Sequence, residues 1–299
     1  MIANILTNRI VNDIAGGTAQ GVIIGLVALC LVLVWRATRV LNFAQGPMAM
    51  FVTYIGMTQM DHHANFWVAA AISVAVGFIF SALTEIVIVK PLYHKAEINP
   101  IVVMVGMFTL LEAVASAVWT NIPRYPTAPF SSINFQSEGN PTGLSPLSTF
   151  QIGAALAIMT LVAILFNYTS LGLKLRASAL APEVSKLLGI RVGRLLTLGW
   201  GIAGAVGAVA GVVISLNPGG LAPNMLDAMF ILGFIAAAIG GLDSPLGALV
   251  SGIVIGVVMQ LINDYWNSNY ADMVAVVLLV VVLMLRPQGI FTKNSTRRV

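Results

Sequence analysis

The chain has 299 residues, a mean hydropathy of +0.93 and a formal net charge of +4. Only 9% of it is Asp, Glu, Lys or Arg, against about 25% in an ordinary globular domain, which excludes a water-soluble enzyme and a disordered tail protein alike. Long two-sided apolar runs such as 274–285 exclude an outer-membrane barrel, whose strands alternate, so a bilayer is the solvent that fits.

At ~20 apolar residues per span plus a short connection, the chain can cross roughly nine or ten times. The predicted spans run 17–35, 41–60, 65–89, 99–120, 149–168, 195–216, 226–242, 246–262 and 270–286. The expected fold class is all-α, a polytopic membrane protein of about nine transmembrane helices (8–10). No cleavable leader is read at the start, where Arg9, Asp13 and several Asn precede the first apolar stretch. Cys30 in that stretch is the lone cysteine and makes no internal disulfide. Gly17, Gly21 and Gly25 recur every four residues, as do Ala203, Gly207 and Gly211, then Gly252 and Gly256. Small residues at that spacing let two helix backbones approach closely.

The second span carries Leu41-Asn42-Phe43-Ala44-Gln45-Gly46-Pro47 and is expected to be interrupted at Gly46-Pro47. Broken helices at membrane depth are tolerated where they line a cavity. Asn42, Gln45, Gly46 and Pro47 are therefore candidates for a translocation path, with a plain kink as the alternative. Asp61-His62-His63 offers too few converging ligands for a metal. Glu85, near the end of the third span, is expected to snorkel or to pair with Lys90. Glu112 lies deeper, without a partner on its own helix, and should face the bundle interior or a wet path.

The break 121–148, rich in proline (Pro123, Pro126, Pro129, Pro141, Pro146), reads as an ordered external loop or lid. With that loop outside, span alternation puts every Lys and Arg except Arg9 and Arg124 on the inner side. The expected topology is N-terminus out, C-terminus in. The connection 170–194 is cytoplasmic on this threading. Pro182 can open a short helix there, Glu183 suits its positive end, and Gly189 can stop it. Such an amphipathic helix is built to seat in a groove on another protein, unless it merely connects.

Gly199-Trp200-Gly201-Ile202-Ala203-Gly204 spells G-x-G-x-x-G, but it lies inside an apolar span with no acid before Asp227. Helix packing explains it better than a dinucleotide, which needs a strand before the motif. No G-x-x-x-x-G-K-[ST] occurs, so the chain has no P-loop of its own. The sequons at Asn167 and Asn294 fall on the inner side and are discounted. The turn Gly240-Gly241-Leu242-Asp243-Ser244-Pro245 is another break between spans, and Gly240, Gly241 and Ser244 join the path candidates.

Four stretches in order resemble the branched-chain amino acid ABC-transporter permeases, the integral-membrane subunits of the high-affinity leucine/isoleucine/valine type. They are Leu41 to Gly46, the loop 175–194 with its Leu-Leu-Gly-Ile-Arg-Val-Gly-Arg, Ile239 to Ala248, and the ending Leu285-Arg286-Pro287-Gln288-Gly289-Ile290-Phe291. The resemblance implies one permease domain over 1–299 in the bacterial cytoplasmic (inner) membrane. It implies a second, similar permease subunit, two cytoplasmic ATP-binding subunits, an extracytoplasmic solute-binding protein and no nucleic acid. The 180–189 region would be the coupling helix, with Ala181, Pro182, Glu183, Lys186, Leu188 and Gly189 against an ATPase groove. The chain would be no enzyme and hold no cofactor, ATP being bound and hydrolysed on the partners. Pro182, Ser185, Asp243 and Trp35-Arg36 depart from the family pattern. The same class also carries urea, short amides and aromatic carboxylates. A self-sufficient ion-coupled transporter would need several buried acids, and an intramembrane enzyme would need a catalytic cluster, whereas all three histidines fall in loops.

Overall fold

The computed structural model describes residues 2–93, 95–96, 98–137, 140–141, 144–266, 270–286 and 289–291. Its helices are α1 (Ile2–Thr38), α2 (Gln45–Met57), α3 (Phe66–Thr84), α4 (Ile98–Trp119), α5 (Pro146–Tyr168), α6 (Ser170–Leu180), α7 (Pro182–Leu187), α8 (Val192–Ser215), α9 (Asp227–Gly240), α10 (Pro245–Tyr265) and α11 (Ala271–Leu285). A two-residue ladder, β1 (Gln136–Ser137) antiparallel to β2 (Asn140–Pro141), interrupts the loop after α4.

Helix starts follow local chemistry. Asn65 accepts from the Val68 amide to cap α3, and Ser145 with Ser148 forms a reciprocal cap on α5. Thr169 caps α6 and Ser244 caps α10, where Pro245 occupies the first turn. Among the described residues, six apolar helical segments are long enough to cross a membrane: Arg9–Thr38, Phe66–Leu92, Ile98–Trp119, Pro146–Tyr168, Val192–Ser215 and Pro245–Tyr265. The other three predicted spans coincide with shorter apolar helices, α2, α9 and α11.

Helix α1 is the hub. It packs against α8, α9 and α10, and its stretch 21–34 is buried on every side. The α1–α10 contact is a glycine seam. A methyl group on Gly21 would lie 2.6 Å from the Ile253 Cα, and one on Gly252 would lie 2.6 Å from the Gly25 Cα. Two backbones at this distance gain dispersion along their whole length and leave no room for a side chain. The glycines of the G-x-G-x-x-G run do the same work inside α8: Gly199 abuts Ala37 of α1, Gly201 abuts Phe78, and Gly204 abuts Gly77 and Ser81 of α3.

Two expectations need correction. The second apolar run does not contain a helix broken at Gly46-Pro47. Helix α2 starts at Gln45, so both residues sit in its first turn, where a missing amide costs nothing. Residues 39–44 form a non-helical lead-in, and the Asn42 side-chain oxygen accepts from the Ala44 amide to turn the chain into the helix. Helix α2 therefore rises only ~20 Å, short of the ~30 Å hydrocarbon core. The first run, too, is longer than read, since α1 is already helical from Ile2.

Candidate functional site

The candidate path residues fall in three separate places. Asn42 and Gln45 form a closed polar knot in the core. The Asn42 amide donates to Gln45 Oε1 at 2.9 Å, and the Gln45 amide donates to the Ala203 carbonyl of α8 at 3.3 Å. Both side chains are buried, and Gly46 rests against the Phe230 ring of α9. Paired this way, the knot satisfies its own buried polar atoms and lines none of the cavities described below. Gly240, Gly241 and Ser244 lie at the α9–α10 turn. Gly240 abuts the Gly247 backbone, Gly241 takes φ +93°, and the Ser244 hydroxyl accepts from the Gly247 amide at 3.0 Å.

Glu112 stands apart from both groups. It is half-buried on α4, and its carboxyl meets that of Asp227, at the start of α9. Its Oε1 takes no hydrogen bond from the described residues. Two carboxyls bond to each other only when one carries a proton. Asp227 was noted in the sequence only as the next acid after the glycine run. What marks it is its place, an acid opening an apolar helix opposite a second acid within the bundle.

Glu85 does not behave as expected. It is 0% exposed, so it neither snorkels nor pairs with Lys90. It lies at the start of a π-helical turn, Glu85–Val89, and accepts from Tyr93 Oη at 3.0 Å and Thr197 Oγ1 at 2.6 Å. The close α3–α8 glycine packing brings Thr197 within reach, which no pattern within the third span could show. Burial, then the neighbouring Glu85 charge, pushes the Tyr93 phenol far up, so it remains a donor.

Arg36, Arg39, Lys90, Arg176 and the short helix α7 gather at one end of the bundle, together with the α9–α10 turn. Helix α7 begins at Pro182, and Gly189 beyond it has φ +79° with open space around it. Around it Leu180, Val184, Leu187 and Leu188 are 74%, 56%, 87% and 75% exposed. Lys186 and Glu183 pair at 2.8 Å beside them. The opposite end carries the loop after α4. Arg124 there pairs with Asp61 at 3.1 Å and exchanges backbone hydrogen bonds with Leu221. A cavity of about 480 Å³ opens between Asp61, Asn65, Phe66 and residues 124–129.

Membrane-length apolar helices around a buried first helix, capped at one end by an exposed apolar knob, define a multi-pass membrane protein. The chain belongs to the family described as branched-chain amino acid transport system / permease component, whose model matches residues 14–283. It is a permease component of an ABC transporter.

Among its relatives is the high-affinity branched-chain amino acid transport system permease protein BraD of Pseudomonas aeruginosa, 27% identical over 96% of this chain and 97% of that one. The LivH permease protein of Escherichia coli is 27% identical over 95% and 96%. The probable LivH of Methanocaldococcus jannaschii is 28% identical over 89% and 87%. Among solved structures, PsaBC from Streptococcus pneumoniae in complex with Fab has a TM-score of 0.54 at 12% identity, covering 96% of this chain and 97% of that one, a likeness of fold alone.

Proposed function

We propose that the chain is one of two permease subunits of an ATP-driven importer that carries branched-chain amino acids across the bacterial cytoplasmic membrane. The observation that carries this reading is the α6–α7 knob. Four large apolar side chains stand exposed within nine residues, held by a proline-started helix and a left-handed glycine. Apolar side chains displayed on a rigid short helix suit a groove on a partner, here the ATP-binding subunit. Ala181, Pro182, Glu183, Lys186, Leu188 and Gly189 form or frame that contact.

The bundle end that gathers Arg36, Arg39, Lys90 and Arg176 is cytoplasmic in this reading, so the loop 121–148 and its cavity face outward. That outer face would receive a solute-binding protein. Helices α2, α9 and α11 complete nine crossings, the short ones led by non-helical segments such as 39–44, where Asn42 and Ala44 are buried, and the buried 221–223. ATP-driven closure of the partners would pull on α7 and rock the permease pair between two states, a shift set by differential binding. Glu112 with Asp227 supplies the ionisable element of the passage, suited to the ammonium group of an amino acid. The Asn42–Gln45 knot and the Gly240–Ser244 turn hold α2, α8, α9 and α10 in register around it.

The test is labelled leucine uptake into proteoliposomes holding the permease pair, its ATP-binding subunits and its solute-binding protein. Uptake should require ATP and the binding protein and ignore ion gradients. Accumulation by the permease alone on a proton gradient overturns the reading. Uptake of urea, short amides or aromatic carboxylates in place of leucine keeps the machinery and replaces the substrate.

A further inference from the structure

At the inner ends of α1, α5, α6 and α10 lies a second cavity, of about 460 Å³, lined in part by Arg36, Arg39, Arg176, Asn167, Asp243 and Ser244. Its volume falls within the ~300–1,000 Å³ typical of ligand sites. Its charge is unbalanced. Arg39 pairs with Asp243 at 2.6 Å, the one acid on the wall. Arg36 is half-buried, stacks 5.2 Å over the Phe166 ring and has no ion-pair partner among the described residues. Arg176 donates only a long 3.4 Å bond to the Gly172 carbonyl, again without an acid.

Three guanidinium groups partly withdrawn from water share one carboxylate, Asp243, whose field reaches Arg36 as well as Arg39, so the surplus positive charge is costly and repels itself across the cavity. A planar guanidinium presents parallel N–H donors that match phosphate oxygens, and Asn167 and Ser244 add neutral polar groups to the same wall. Leu180 and Leu246 stand exposed at the rim. Basic recesses between helices at the cytoplasmic headgroup level suit acidic lipids.

We propose that this cavity binds a phosphate-bearing anion between Arg36 and Arg176. The anion comes either from the headgroup of an acidic phospholipid or from soluble phosphate. Because Arg176 lies on α6, which leads directly into α7, the bound anion braces the knob against the hub helix α1. The site is separate from the solute passage and does not depend on which solute is carried.

The experiment uses the complete transporter, purified and placed in nanodiscs of phosphatidylcholine with or without phosphatidylglycerol. Native mass spectrometry reads the lipid that stays on the complex after release from the disc. The wild type should retain phosphatidylglycerol about tenfold better than R36Q/R176Q. R176Q alone should lose part of that preference, which keeps the test open should R36Q disturb the stacking on Phe166. R194Q, at the same end but outside the cavity, should retain lipid as the wild type does. In the second arm, millimolar inorganic phosphate is added to the phosphatidylcholine discs. A rise in thermal midpoint for wild type and none for R36Q/R176Q assigns the site to soluble phosphate. Equal lipid retention and equal phosphate response in wild type and the double variant overturn the proposal, as does loss of retention in R194Q to the level of R36Q/R176Q.

Discussion

Glu85 and Glu112 are the same residue on two successive long helices, and their surroundings differ in kind. Glu85 is sealed between α3 and α8, with a phenol and a hydroxyl donating to its two oxygens. Glu112, half-buried on α4, faces a second acid and leaves one oxygen without a donor. The first arrangement completes a buried group and fixes two helices, as expected of structural polar groups. The second leaves an oxygen that no donor of the described residues satisfies and that a proton, a water or a cation can serve. The packed interior thus holds the fold, and in the proposed reading the rim of α4, α9 and the α6–α7 knob carries what changes during transport. Substitutions should sort accordingly: interior changes cost folding, and rim changes cost uptake from protein that is still folded.

The largest effect belongs to the interior seam. Gly252→Leu has no space against Gly25 and Gly21 of α1, so helices α1 and α10 must separate. Overpacking costs ~1–3 kcal/mol where a core can adjust, and two backbones in contact cannot. Monodisperse protein should be lost on size-exclusion chromatography. Recovery at the wild-type level with an unchanged thermal midpoint would break the division between hub and rim.

Next comes the knob. Leu187→Asp with Leu188→Asp places charge on two apolar side chains of the knob, 87% and 75% exposed. Interface anchors contribute ~2 kcal/mol or more each, so ATP-driven uptake should fall by more than ~tenfold. The thermal midpoint of the permease should not move, since these side chains touch little of their own chain. Full uptake by this variant removes the coupling role of α7.

Smaller still is the cost at Glu85. Glu85→Ala orphans the hydroxyl of Tyr93, leaves Thr197 only its bond to the Gly193 carbonyl, and should destabilise by about 1–3 kcal/mol. Glu85→Gln keeps an acceptor and should recover most of that loss. In both variants, uptake per folded molecule should stay near wild type. A transport defect in Glu85→Gln without a stability defect would move Glu85 from the frame into the passage.

How much of this was readable beforehand depends on the range of the forces involved. Burial in a bilayer acts residue by residue, so apolar runs located the apolar helices, and glycine spacing marked the faces on which α1 meets α10 and α8 meets α2. Pro182 and Gly189 act on their own backbone, and α7 lies where they put it. The start of α2 was misread because Pro47 looks the same within a first turn as at a kink, and only the Asn42–Ala44 bond tells them apart. Tyr93 lies only 8 positions from Glu85, but Thr197 and Asp227, the other partners of Glu85 and Glu112, lie 112 and 115 positions away. Pairings at that separation are set by how helices cross, which no local pattern records. The cavity of Arg36, Arg39 and Arg176 was hidden similarly, since no local pattern brings α1 and α6 together there.

The mildest substitution is the most informative about the rim. Glu112→Gln removes one of two facing acids while keeping its shape, and an amide can donate to the Asp227 carboxylate directly. Folding stability should therefore change by less than ~1 kcal/mol. If the pair acts as one polar element of the passage, leucine uptake should drop several-fold in Glu112→Gln, and Asp227→Asn should give a similar drop. The double variant should then be scarcely worse than either single one, because residues acting as a unit are not additive. A double-mutant cycle on uptake rates measures this directly. Additive losses would separate the two acids, and unchanged uptake in all three variants would return Glu112 to packing, beside Glu85.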